Sequence, residues 1–117
     1  MDKISISLPL AGEYFTTVRL TTGGICALAE FDVDATEDFK VCVTESLLIL
    51  KRNGFTSAEI TFTIGEGVEC SILGKEQNGE REDGLEDSIS YALLNALLGN
   101  VDFEKSDDRV IGVRFVA

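Results

Sequence analysis

Two short alternating segments joined by a glycine-containing turn constrain the fold of this chain more than any other feature. Within residues 58–64, Ile60, Phe62 and Ile64 alternate with threonines, as expected for a strand with one buried face. Gly65-Glu66-Gly67 is typical of a hairpin turn, and the apolar run 68–73 supplies the returning strand. The sequence therefore predicts an antiparallel β-hairpin as part of a sheet.

Three other segments carry apolar residues at helical spacing. The first covers residues 13–29, and Gly23-Gly24 at its middle predicts either a break or close packing. The second begins with Thr36 as N-cap and runs to about Asn53. The third covers residues 85–98. Each helix needs a sheet or another helix to cover its apolar face.

The second and third predicted helices are apolar in ways that predict their packing. The broad face of the second helix consists of Phe39, Cys42, Val43, Ser46, Leu47, Ile49 and Leu50. The stripe of the third helix consists of Leu85, Ile89, Ala92, Leu93, Ala96 and Leu97. A further apolar set outside both faces consists of Val41, Leu48, Tyr91, Leu94 and Leu98. This set marks either a homodimer interface or a surface that the first helix covers.

The complete order of predicted elements is β-α-α-β-β-α-β-β. An alternating strand lies near residues 4–8, and two more lie at 101–105 and 109–116. Residues 74–84 contain no apolar side chain and predict a solvated loop. We therefore expect one α+β domain over 1–117, a two-layer α/β sandwich with helices on one face of a mixed, mostly antiparallel sheet.

Composition narrows the classes of partner. The net charge of −11 argues against nucleic acid, because phosphate binding needs clustered lysine and arginine. No apolar run approaches the roughly 20 residues that span a bilayer, so we expect a cytoplasmic protein without membrane contact. The chain has no histidine, and Cys26, Cys42 and Cys70 are far apart. We therefore expect buried thiols and no metal site.

Several short motifs in this order resemble the small anti-sigma-factor serine kinases of the histidine-kinase-like ATPase family. Pro9 leads to a helix that begins with Glu13-Tyr14 and carries Arg19-Leu20. The second helix carries the run Lys40-Val41-Cys42-Val43-Thr44-Glu45. The resemblance implies the histidine-kinase-like ATPase fold over nearly the whole chain.

The resemblance also implies a nucleotide site, and its motifs are altered here. Glu45 matches the family's general base, but Ile49 stands where an asparagine holds Mg²⁺. Gly74 stands where an aspartate reads adenine. Gly84 matches a glycine of the phosphate-binding lid, but Glu86 replaces the next one and would repel phosphate. We therefore expect no cofactor, with ATP and magnesium as ligands only if the altered pocket is functional.

Three functional interpretations follow from the resemblance. In the first, the protein is a regulator that binds a sigma factor or an anti-anti-sigma-like domain through Glu13 and Arg19, without ATP turnover. In the second, it is an active ATP-dependent serine/threonine kinase that uses Glu45 as base and Glu76 or Asp83 for metal or adenine. In the third, it is a stand-alone oligomerising domain with no ligand. The alternative to partner binding by Glu13 and Arg19 is an ordinary solvated helix face, where an isolated charge contributes little.

Overall fold

A computed structural model describes residues 2–77, 85–98 and 100–117, with backbone alone for 85–87. Its elements follow the predicted order, with a short 3-10 helix, Gly12–Tyr14, before the first α-helix. The strands and helices are β1 (Asp2–Pro9), α1 (Phe15–Leu28), α2 (Val33–Arg52), β2 (Phe55–Ile64), β3 (Val68–Gln77), α3 (Leu85–Leu98), β4 (Val101–Ser106) and β5 (Arg109–Val116). The predicted α+β class is confirmed.

The five strands form one sheet in the order β1-β2-β3-β5-β4, and all four pairings are antiparallel. The predicted hairpin pairs Ile60 with Ile72 and Phe62 with Cys70. These side chains are fully buried beneath the helices. On the opposite face, the Ser5 and Thr61 hydroxyls lie 3.1 Å apart in an exposed hydrogen bond. The two-layer sandwich thus follows from the period-two pattern of the strands.

The start of α2 differs from the prediction. Asp32, not Thr36, is the N-cap, and its carboxylate accepts a hydrogen bond of 2.8 Å from the Ala35 N–H. The Thr36 hydroxyl instead donates to the Asp32 carbonyl. The first turn carries an exposed Val33 rather than a core residue, so apolar spacing gave no signal for it. A carboxylate that accepts backbone N–H groups is nonetheless a favourable helix start.

The predicted close packing at Gly23 is confirmed, and the alternative break is not present. Helix α1 runs unbroken through Gly23 and Gly24. A Cβ added at Gly23 would lie 3.0 Å from the Lys40 Cε of α2, whereas one added at Gly24 would meet nothing within 4 Å. Gly23 of α1 therefore lies close to the end of the Lys40 side chain of α2.

Strand β3 extends further than predicted, so residues 74–77 are strand and not loop. Gly74 pairs with Ala58, and Lys75 forms an ion pair with Glu59 at 3.9 Å. These polar residues continue the strand because β2 offers backbone partners and an exposed face for their side chains. The rest of the predicted loop, residues 78–84, lies outside the described residues.

Helix α3 has the predicted bounds, but only part of its predicted stripe faces the core: Leu97 packs against it. Ile89 is 56% exposed, and Ala92 and Ala96 are also exposed, so that part of the predicted stripe is wrong. Ser90 and Leu94 are buried instead. A polar Ser90 concealed this face in the sequence, because its burial depends on hydrogen bonds that spacing alone does not show.

The apolar set proposed for a homodimer interface is mostly covered by the chain itself. Leu94 is fully buried, and Leu48, Tyr91 and Leu98 pack against the core. The Tyr91 ring meets Phe103 of β4 edge to face, with centroids 4.9 Å apart. Val41, 38% exposed, alone keeps the character expected of an interface residue. Self-association stays a prediction.

The core lies between the sheet and the three helices, and α2 contributes most of its helical residues. All seven residues of the broad face predicted for α2 are buried. The three cysteines are buried and free, as expected. Among the described residues no helix is both long and apolar enough to cross a membrane.

Candidate functional site

Glu45, the residue matching the family's catalytic base, is bonded to helix α3. The Ser90 hydroxyl donates to Glu45 Oε2 at 2.7 Å, and Arg52 Nη2 donates to the same hydroxyl at 2.6 Å. Ser90 is only 3% exposed. A serine hydroxyl has one donor and can accept at the same time, so both of its functions are used here. This three-residue chain, Glu45–Ser90–Arg52, is called the Ser90 clamp below.

The clamp covers the helix face on which the metal ligand is expected. Residues 45, 49 and 52 are spaced i, i+4 and i+7, which places them on one face of α2. Ser90 bonds the first and the third, so Ile49 lies between the two ends of the clamp. Ile49 is 0% exposed. The face of α2 below Glu45 is therefore packed by side chains of this chain.

The residues at this position do not fit a magnesium ion. Mg²⁺ demands oxygen ligands in near-octahedral geometry, and Ile49 is aliphatic and wholly buried. One oxygen of Glu45 is already bonded by Ser90. Within the described parts of the chain, no group of three or more histidine, cysteine, aspartate or glutamate side chains is arranged to hold a metal.

The space beside Gly74, which matches the adenine-reading aspartate, is filled by the aromatic ring of Phe55. A Cβ added at Gly74 would lie 2.5 Å from two ring atoms of Phe55. Phe55 is 7% exposed and belongs to the core. Any side chain at position 74 would require Phe55 to move. The missing aspartate is thus accompanied by packing that fills its place.

Burial governs the chemistry of the Cys42 thiol, which lies one turn before Glu45 on α2. Cys42 is 0% exposed. Loss of solvent, together with the negative charges of Asp38 and Glu45, raises the pKa of Cys42 to about 12. The thiol is therefore protonated near neutral pH and is not a nucleophile.

A mixed-charge groove lies along α1 and α2, and Glu45, which also bonds Ser90, is part of its lining. Its volume is about 320 Å³, and it is lined by Arg19, Glu37, Lys40, Val41, Thr44 and Glu45. Lys40 forms an i, i+3 ion pair with Glu37 at 3.3 Å. Arg19 is exposed. The groove thus presents both signs of charge around the partly exposed Val41.

The predicted site residues are only partly brought together. Arg19 and Glu45 line the same groove. Glu13 is exposed in the short 3-10 helix and is not part of that lining. Glu76, the alternative metal or adenine ligand, lines a different cavity at the β1–β2–β3 end, which shares no residue with the groove. Gly84, Asp83 and the side chain of Glu86 lie outside the described residues.

The sequence did not indicate Ser90 or Arg52 as site residues. Arg52 lies at the end of α2 and Ser90 lies in α3, 38 positions further along the chain. Neither residue belongs to a recognisable motif. The available signal was that Ser90 is a polar residue between Ile89 and Tyr91 in an otherwise mainly apolar helix. A buried hydroxyl requires a partner, which points to a polar group on the facing helix.

Known proteins similar to this chain are serine-protein kinases. The serine-protein kinase RsbW of Listeria monocytogenes is 36% identical over 58 residues, covering 50% of this chain and 37% of the relative. RsbW of Bacillus mycoides is 24% identical over 106 residues, covering 89% of this chain and 62% of the relative. RsbW of Bacillus cereus matches with the same identity and coverage. No family model matches the chain.

These similarities confirm the resemblance that the sequence motifs predicted. The match that covers most of this chain spans the three-helix, five-strand domain almost from end to end. The chain nevertheless spans less than two thirds of the length of these curated relatives. The similarity therefore supports the class of protein, and the activity and partners of this chain are proposals.

Proposed function

We propose that this chain is an anti-sigma-factor-like regulatory protein that binds a sigma factor or an anti-anti-sigma-type domain without turning over ATP. The observation that carries the proposal is the Ser90 clamp over the buried Ile49. A phosphoryl transfer site needs a metal to offset charge on the transferred group. Here the corresponding face of α2 packs against α3.

The mixed-charge groove supports a binding role. Arg19 and Lys40 offer cations, Glu37 and Glu45 offer anions, and Val41 gives an apolar contact. Charges of both signs in a fixed arrangement favour one docking orientation of a protein partner. The net charge of −11 further favours a partner with basic segments through long-range attraction.

Binding of candidate partners to two charge-reversal variants tests this role. Sigma factors and anti-anti-sigma domains from the same genome are titrated against the wild type, Arg19→Glu and Lys51→Glu. Lys51 is also an exposed cation on a helix but does not line the groove. We expect Arg19→Glu to weaken one partner about tenfold and Lys51→Glu to leave its affinity within about twofold. Absence of binding by every candidate, or equal effects of both variants, contradicts the proposal.

The alternative function is an active serine/threonine protein kinase with a rearranged pocket. The printed name of the relatives, serine-protein kinase, favours it. In this alternative Glu45, which lines the mixed-charge groove and is bonded by Ser90 at Oε2, acts as base on a substrate hydroxyl. Transfer of labelled phosphate to a partner that binds, with loss of transfer in Glu45→Gln, would establish the kinase. We expect no transfer by the wild type.

A further inference from the structure

A second, mainly apolar pocket lies at the end of the helical layer where α2 begins. Its volume is about 240 Å³, and it shares no residue with the mixed-charge groove. The lining consists of Phe31, Ala35, Asp38, Phe39, Leu97, Leu98 and Ala117. These residues come from the α1–α2 connection, the first turns of α2, the end of α3 and the residue after β5. We call it the α2–α3 pocket.

The floor of the pocket is formed by a core residue, and its walls are only partly buried. Phe39 is 1% exposed and packs against Phe115 and Phe62 of the sheet. Phe31 contacts Phe39 edge to face with centroids 5.9 Å apart. Phe31, Leu97 and Leu98 are only partly buried. The pocket is thus preformed on the core and needs no rearrangement to receive an apolar group.

Among the described residues that line the pocket, the one charged side chain, Asp38, is negative. Asp38 is exposed at the pocket, and Asp34 is exposed one turn earlier on the same helix. Neither aspartate forms an ion pair with any cation in the described ranges. A ligand with an apolar group and a nearby positive charge therefore matches both the lining and the rim.

The size of the pocket and its surroundings favour a protein partner. Ligand pockets for small molecules are usually about 300–1,000 Å³, so a volume of about 240 Å³ suits a single large side chain. Beside Phe31, Leu28 is 67% exposed and Val33 is 76% exposed. Large apolar side chains exposed next to an apolar pocket are typical of a protein contact surface.

We propose that the α2–α3 pocket docks a protein partner through one large apolar side chain flanked by lysine or arginine. The apolar side chain lies against Phe31, Phe39 and Leu97, and a flanking cation lies near Asp38. This surface is separate from the mixed-charge groove, so the inference is independent of the function proposed for that groove.

Three blocked pentapeptides test the proposal by titration into the isotope-labelled chain with amide NMR detection. The probe is Lys-Lys-Phe-Lys-Lys, and its controls are Lys-Lys-Ala-Lys-Lys and Glu-Glu-Phe-Glu-Glu. We expect the probe to shift the amides of Ala35, Asp38, Leu97 and Leu98 and to bind at least about tenfold more tightly than either control. Asp38→Asn is expected to weaken the probe about two- to fivefold, with a smaller effect at high salt.

A pair of alanine-to-leucine variants separates pocket binding from general surface binding. Ala35→Leu fills the pocket, whereas Ala27→Leu adds the same group to an exposed position of α1. Both retain the helix, which circular dichroism verifies. We expect Ala35→Leu to abolish the shifts and Ala27→Leu to leave them unchanged. Equal binding of the three peptides, shifts elsewhere only, or full binding by Ala35→Leu overturns the proposal.

Discussion

The Ser90 hydroxyl donates a hydrogen bond of 2.7 Å to the carboxylate of Glu45, across the contact between α3 and α2. The bond joins Glu45, which matches the general base of the family that this chain resembles, to a helix packed against α2. Arg52 completes the arrangement by donating to the same hydroxyl. The clamp therefore joins α2 to α3 and engages one oxygen of the Glu45 carboxylate.

The first prediction concerns the energetic coupling of Ser90 to Glu45. A double-mutant cycle with Ser90→Ala and Glu45→Ala should give a coupling free energy of about 1–2 kcal/mol in urea unfolding, because the bond is charge-assisted and partly buried. Ser88→Ala, on an exposed position of α3, should change stability by less than about 0.5 kcal/mol. Strict additivity of the Ser90 and Glu45 effects would show that the bond does not form in solution.

The second prediction tests whether the α2 face is closed. Ile49→Asn restores the family's metal-ligand residue type but places an amide in a fully buried position. It should lower the free energy of unfolding by about 3 kcal/mol or more, through lost apolar burial and an unsatisfied polar group. Ile49→Val, the matched control, should cost about 0.5–1.5 kcal/mol. A cost below about 1 kcal/mol for Ile49→Asn would mean that position 49 borders an open, hydrated cleft.

The third prediction concerns pH and the Cys42 thiol. Its pKa is raised from 9.0 to about 12 in the folded protein, so the protonated thiol stabilises the fold fully below about pH 9. As pH rises from about 9 towards 12, the unfolded chain loses its thiol proton first, and this stabilisation is progressively lost. The stability gap between the wild type and Cys42→Ala should shrink by about 1 kcal/mol between about pH 8 and pH 10. Urea unfolding at both pH values measures it, and a constant gap would be inconsistent with a buried thiol.

The elements that the sequence predicted well are those whose apolar pattern is complete. The hairpin of β2 and β3 and the broad face of α2 show their periodicity without interruption, and the structure confirms both. The misplaced α2 start and α3 face depend instead on polar groups, Asp32 and Ser90, whose partners are one turn or 45 residues away. Spacing cannot show such a partner, because a hydrogen bond depends on how the elements are placed in space.

For the candidate site, too, the sequence indicated single altered positions but not the contacts between elements. Motif comparison identified Ile49 and Gly74 as altered positions, and the structure adds that each is packed: Ile49 is buried and Gly74 faces Phe55. The Ser90 clamp and the α2–α3 pocket could not be found in the sequence, since both combine residues from separate elements.

Isothermal titration with ATP and Mg²⁺ tests the central claim most directly. The packed α2 face and the Phe55 ring against Gly74 predict no binding heat at ligand concentrations up to roughly 1 mM, the range in which weak complexes are still detected. Binding with a Kd in the micromolar range would contradict the account, because it would require an open nucleotide cleft beside Glu45 and Ile49.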